Sequence, residues 1–326
     1  MIKEDVKSIE NQLRDKIKFC VNQWIKKNNY TKELISIKSD LSQDLRHLVL
    51  SGNVLLEKQR KEIEKELKQI WKWKIINNLL VISSLSYIGH FEWGRVKKDY
   101  VNVRRFKSGE FLSTQITNKD NAFKILYKNK TESLIQIEDL TLGWVYNNEI
   151  IKQKSEENKN KQNNWQNIKR PFKDKTIEVH SLNQLFLSAQ KYINTPYLLG
   201  GKTENGIDCS GFIQVIFKRA YNLILPKHAL EQFHVGKRIS IKDLNSADLI
   251  FARVKGKNIF HVGLVYKGRK QMAEGKRIKI ENQKKDIYII HASRHAKKVI
   301  CESVEEFYSK YTPAGARRIV VESKNN

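Results

Sequence analysis

The stretch TPYLLGGKTENGIDCSGFIQVIFKRA, Thr195–Ala220, decides how this chain is read. Gly200, Gly201 and Gly206 let a loop bend tightly and approach another backbone closely. Asp208, Cys209 and Ser210 follow at once. Phe212, Ile213, Ile216, Phe217 and Ala220 then recur at helical spacing. That order predicts a helix over Ser210–Tyr221 with Cys209 at its N-terminus. Unpaired amides and the helix dipole there stabilise a thiolate and lower the pKa of a thiol. The same amides can hold the oxyanion of a tetrahedral intermediate. A glycine-rich approach ending in DCSG therefore reads as a nucleophile, whereas Cys20 and Cys301 read as small hydrophobes.

A thiolate nucleophile needs a histidine delivered by the fold and not by sequence adjacency. His261 begins HVGLVY, an apolar and mostly β-branched run that predicts a strand, and Gly263 within it leaves room for close backbone approach. His291, in YIIHAS, ends a later strand and is placed to orient an imidazole through its other nitrogen. His295 lies four residues on, among polar and basic residues typical of a turn. It reads as surface or core, as do His47, His90, His180, His228 and His234. No histidine pair has zinc-ligand spacing, and three scattered cysteines make neither a metal cage nor a disulfide scaffold. No metal or cofactor is expected.

Around this stretch, 326 residues with 40% hydrophobic and 29% charged side chains make a globular chain of two or three domains. No run approaches the roughly 18–20 apolar residues of a membrane-spanning helix. The best candidate, Ile75–Phe91, is broken by Asn and Ser and reads better as strand, so no membrane span is expected. The N-terminus lacks the apolar core of a signal peptide. Lys and Arg number 61 against 35 Asp and Glu, a formal charge of +26. That excess favours polyanions. Without an aromatic-flanked basic motif it reads first as a solvated lysine-rich surface, and nucleic acid is not an expected partner.

Residues 1–75 carry two apolar stripes at three- and four-residue steps, Ile9 to Trp24 and Leu56 to Ile70, which predict a helical hairpin. Over 76–150 the period falls to two between polar turns, as in a small β-barrel. Residues 151–178 are poor in apolar groups and read as a linker. Over 179–326 helices precede strands: Ser181–Ile193 and Ser210–Tyr221, then Asp248–Arg253, Phe260–Tyr266, Asp286–Ala292 and Arg317–Val321.

The ordered blocks TPYLLGG, GIDCSGF, LPKHALEQF, DLIFA, HVGLVY, YIIHAS and YSKYTPAGARRI resemble the NlpC-type bacterial cell-wall peptidases. These are papain-like cysteine peptidases that cut peptide stems of peptidoglycan. The resemblance implies an α+β, papain-like catalytic domain with helices packed on an antiparallel sheet. It implies Cys209 as nucleophile, His261 as general base and His291 as the orienting third residue. It further implies substrate contacts from Asp208, Ser210 and Tyr197, and a D,L-endopeptidase acting at the γ-D-glutamyl–diamino acid bond.

DYVNVRRF (Asp99–Phe106) and GWVYNNEI (Gly143–Ile150) resemble the two ends of a bacterial SH3-like domain, which commonly precedes NlpC-type domains. Two features depart from the family pattern. Leu199 stands where an aromatic residue is common, and Lys267–Asp286 is an insertion with eight positive and three negative residues. The expected partners are a peptidoglycan stem peptide and an anionic wall polymer, and the expected place is the cell envelope or outside the cell. A non-catalytic cell-wall-binding protein and an intracellular polyanion binder are the alternatives.

Overall fold

A computed structural model describes residues 2–27, 35–42, 46–81, 92–105, 109, 111–118, 120, 122–153, 168–253, 259–273, 277–281 and 286–323. The first region holds both expected helices, Ile2–Lys27 and Glu57–Leu67, and both use the predicted stripes: Ile17, Val21 and Trp24 on one, Ile63 and Leu67 on the other, are buried. The helical hairpin itself is corrected. Between and after the helices lies a four-stranded sheet in which Ser36–Leu41 pairs antiparallel with His47–Val54. Lys74–Asn77 and Leu80–Val81 run parallel to the latter.

The physical reason is a short period-two signal beneath the longer helical ones. Leu48, Leu50 and Val54 point into the same core as the two helices while their neighbours face outward. Of the Trp71/Trp73 pair, Trp71 packs into this core and Trp73 is exposed. The expected strand over Ile75–Phe91 is seen at Lys74–Asn77 and Leu80–Val81, and its remainder, 82–91, lies outside the described residues.

The next sheet has seven antiparallel strands. In spatial order they are Ile150–Lys152, Glu92–Val96, Phe123–Lys128, Glu132–Gln136, Leu142–Tyr146, Tyr100–Arg104 and Leu112–Thr117. The two signature segments are neighbours in it, with Trp144 opposite Arg104. Val101, Val103, Ile125, Ile135 and Val145 fill its interior. Arg104 forms a buried ion pair with Glu132 at 2.7 Å and covers the Tyr146 ring.

Of the segment read as a linker, 154–167 lies outside the described residues. Beyond it the chain is held to the C-terminal body by backbone bridges at Lys169 and Lys173, and then by the strand Ile177–Val179 beside Val320–Glu322.

The C-terminal body is a six-stranded sheet ordered Lys237–Ile239, Thr312–Arg318, Leu249–Arg253, Ile259–Lys267, Ile287–Ser293 and Lys298–Ser303. The helix Cys209–Tyr221 lies across it, burying Phe212, Ile213, Ile216 and Phe217 against Leu264, Ile290 and their neighbours. At roughly 1.5–3 kcal/mol per fully buried side chain, this face fixes the position of the helix and so of its first residue. The helix ends at Asn222, whose left-handed backbone (φ 52°) an asparagine tolerates. The expected helix Ser181–Ile193 is shorter, Asn183–Gln190, and the expected strand Arg317–Val321 is split by Ile319 into two strands in different sheets. The basic insertion forms a two-stranded extension, Arg269–Ala273 with Arg277–Glu281.

The seven-stranded sheet touches the C-terminal body through polar contacts. Asp139 accepts from Lys202 Nζ at 2.9 Å and from Gln214 Nε2 at 2.8 Å. Lys218 bridges Asp120 and Glu138, and Lys227 Nζ donates to Ser113 Oγ at 2.6 Å.

Candidate active site

The loop before Cys209 is held by one carboxylate. Asp208 Oδ1 accepts from Gly211 N at 2.6 Å, capping the helix, and from Ser210 Oγ at 3.1 Å. Its Oδ2 accepts from Gly200 N at 2.7 Å, tying the glycine loop to the helix start. Gly200 has φ +80°, a conformation that side chains rarely adopt, and a Cβ on Gly211 would lie 2.4 Å from the Gly201 carbonyl. The loop thus takes its shape from the glycines, and Cys209 is presented at the first helical position.

Two strand residues flanking His261 touch the sulfur. Cys209 Sγ donates to the Phe260 carbonyl at 3.8 Å, and the backbone amides of Val262, Ser210 and Cys209 lie near enough to favour the thiolate. Sequence reasoning expects the helix terminus to depress the thiol's pKa. The structure corrects this: burial pushes it up to about 12, and the adjacent Asp208 carboxylate adds to the rise against the three amides. The acid that caps the helix also opposes the field expected to ionise Cys209.

His261 and His291 are 3% and 0% exposed. His261 Nε2 lies 2.7 Å from His291 Nδ1, and His291 Nε2 lies 3.1 Å from Glu302 Oε1. Lys310 pairs with the other oxygen of Glu302. Tyr311 stacks on the His261 ring at 4.6 Å, with Phe307 beyond at 5.7 Å. Burial, followed by the neighbouring His291 and His295, holds His261 well below the usual histidine range. Burial also lowers His291, against the opposing pull of Glu302. At neutral pH, thiol and imidazoles are therefore uncharged.

His295 sits in the turn after the strand, exposed, and is not the ring that meets His261. The structure joins the His261 ring to that of His291 and brings Phe260, the residue before His261, to the Cys209 sulfur. Glu302 and Lys310 are not among the candidate functional residues of the sequence.

A cleft of about 750 Å³ is lined by Gly200, Asp208, Ser210, Lys227 and His228, whereas Cys209, His261 and His291 are not among its lining residues. Leu112 and Ser113 of the seven-stranded sheet also line it. Tyr197 is not among the lining residues. It lies close enough to Cys209 and Asp208 that, after burial, their charges raise its phenol's pKa. His228, read from sequence as surface or core, contributes to the cleft, and burial lowers its pKa. Lys227 has no carboxylate partner among the described residues, although burial lowers its pKa. Both stand in LPKHALEQF, whose residues alone assign neither of them a role.

Residues 194–318 match the NlpC/P60 family. Among curated proteins, a probable endopeptidase NlpC homolog of Haemophilus influenzae is 33% identical over 40% of this chain and 58% of its own length. Murein DD-endopeptidase MepS/Murein LD-carboxypeptidase of Escherichia coli is 36% identical over 39% of this chain and 57% of its own. Gamma-D-glutamyl-L-lysine dipeptidyl-peptidase of Bacillus subtilis is 39% identical over 30% of this chain and 34% of its own. The chain thus spans about half or less of the length of these relatives. Among solved structures, the NlpC/p60 domain of peptidoglycan hydrolase SagA is 26% identical, covers 43% of this chain and 99% of its own, and has a TM-score of 0.32.

Proposed function

With residues 194–318 an NlpC/P60 domain, we propose that the chain is a thiol peptidase that hydrolyses peptide stems of peptidoglycan, with Cys209 as nucleophile, His261 as general base and His291 as the orienting residue. One observation carries the reading. The residues flanking His261 touch the Cys209 sulfur while His261 itself meets His291 at 2.7 Å, both rings buried. His261 takes the thiol proton as Sγ adds to the amide carbonyl, and the amides at the helix start hold the oxyanion. His261 then protonates the leaving amine, and water hydrolyses the thioester by the reverse proton path.

The bond is assigned to γ-D-glutamyl–diamino acid, which one relative's name supports and another's, a DD-endopeptidase, does not. Asp208 and Ser210, at the edge of the cleft, and Tyr197, against Cys209, are assigned to substrate contact. In that role Asp208 acts with both oxygens already engaged by the loop, so it shapes the cleft as well as touching substrate. Incubating the chain with L-Ala-γ-D-Glu-diamino acid-D-Ala peptides and weighing the fragments tests the assignment. Fragments ending in γ-D-Glu are expected, and cleavage confined to another bond overturns it.

The seven-stranded sheet is assigned as an SH3-like domain, on the pairing of its two signature segments. A cell-envelope or extracellular location follows from the substrate, and no described helix is long and apolar enough to cross a membrane. The basic hairpin at 267–286 is assigned to anionic wall polymer on the strength of its charge. Replacing it by a tight turn should weaken retention on whole walls at low salt, where the screening length exceeds ~10 Å, and leave small-peptide turnover unchanged. Lost turnover would place the hairpin in the cleft instead.

A further inference from the structure

We infer that Glu302, held by Lys310, is a positioning residue that sets the tautomers of His291 and His261 and so leaves His261 able to take the Cys209 proton. This rests on the proposed roles of Cys209 and His261. Glu302 lies on the strand Lys298–Ser303, where Ile300 is opposite His291 and Glu302 is opposite Ile289. Its side chain is therefore the diagonal neighbour of His291 on the same face. It is 5% exposed, and although burial alone would raise its pKa, His291 and Lys310 hold it below the usual carboxylate range.

An ionised carboxylate only accepts hydrogen bonds. The contact at 3.1 Å therefore puts the His291 proton on Nε2 and leaves Nδ1 with a lone pair. That lone pair accepts from His261, which must then carry its own proton on Nε2 across the 2.7 Å contact. His261 Nδ1 is left unprotonated, the state a general base requires.

Lys310 gives the inference its test, because an ammonium only donates. In Glu302→Gln the single amide oxygen is drawn to Lys310, and the NH2 group turns to His291 Nε2. Each ring then shifts its proton: His291 to Nδ1, and His261 to Nδ1 as well. The base is thereby blocked without loss of volume. In Glu302→Gln/Lys310→Met the amide oxygen is free to face His291 again, and the original tautomers return.

The readouts are the nitrogen-15 shifts of the histidine side chains, the rate of Cys209 alkylation by iodoacetamide, and stem-peptide kinetics. Thermal melts confirm that each variant is folded. We expect Glu302→Gln to move both protons to Nδ1 and to slow alkylation and kcat by about 100-fold, with KM within about twofold. The double variant should recover most of that loss, an outcome that simple damage to a buried ion pair does not produce. Unchanged tautomers in Glu302→Gln, or a double variant no better than the single, overturns the inference. The first two readouts need no peptidoglycan. Absence of stem-peptide turnover in the unaltered chain would count against the hydrolase reading while leaving the tautomer result standing.

Discussion

His261 Nε2 and His291 Nδ1 face each other at 2.7 Å with both rings buried, so one nitrogen must carry a proton and the other must not. His295, four residues further along, is exposed and faces the Tyr311 ring at 5.5 Å. Replacing His291 by Ala should lower kcat on a stem peptide by two or more orders of magnitude (about 10² or greater), as when a triad loses its orienting member. His295→Ala should change kcat by less than about threefold. The opposite ranking would transfer the third role to His295.

The same two rings make stability depend on pH. Both are held below the usual histidine value in the folded chain, whereas in the unfolded chain they gain protons near pH 6.5. Unfolding therefore takes up protons as the pH falls through that value, and stability is lost from about pH 6.5 downward. Each ring contributes up to about 1.4 kcal/mol per pH unit. Melts of the unaltered chain and of His291→Asn between pH 5 and 7 isolate one of them. The slope of the variant should be shallower, and equal slopes would mean that His291 takes up its proton as readily in the fold as in the unfolded chain.

Lys227 brings a half-buried ammonium to the cleft with only the Ser113 hydroxyl as its hydrogen-bond partner among the described residues. Asp139, Asp208 and Glu231 act on it only through their fields, and a substrate carboxylate would add a direct ion pair. One charge-assisted hydrogen bond is worth about 1.5–3 kcal/mol. Lys227→Met should accordingly raise KM roughly 10-fold or more for a peptide bearing a free D-Glu carboxylate. The same peptide with that carboxylate amidated should be cleaved by both forms with similar KM. A variant that loses kcat and keeps its preference for the free carboxylate would show that Lys227 supports the fold and not the substrate.

The legible part of the site was the part whose chemistry is local in sequence. Gly200 to Ser210 states a tight loop running into a helix start in eleven consecutive residues, and His261 and His291 each mark a strand by their β-branched surroundings. The state of Cys209 was not legible, because three amides act against burial and Asp208, and the sum depends on how deeply the fold sinks the thiol. Glu302 was not legible because its meaning lies in a diagonal partner eleven residues away across a strand pair. In the N-terminal region two long helical stripes dominated the pattern, and eight residues of alternating burial at His47–Val54 were too short to stand out beside them. The polar neighbours in LPKHALEQF needed the seven-stranded sheet before Lys227 had a cleft to face.

The central claim is that Cys209, served by His261, cuts peptidoglycan stems. It is tested most directly by incubating purified peptidoglycan with the unaltered chain and with Cys209→Ala, and following released stem fragments by mass spectrometry. The account predicts fragments from the unaltered chain and none above background from Cys209→Ala, with both proteins melting at similar temperatures. Equal release by the two, or none from either while both still bind the wall, would contradict it and leave a wall-binding protein in place of a peptidase.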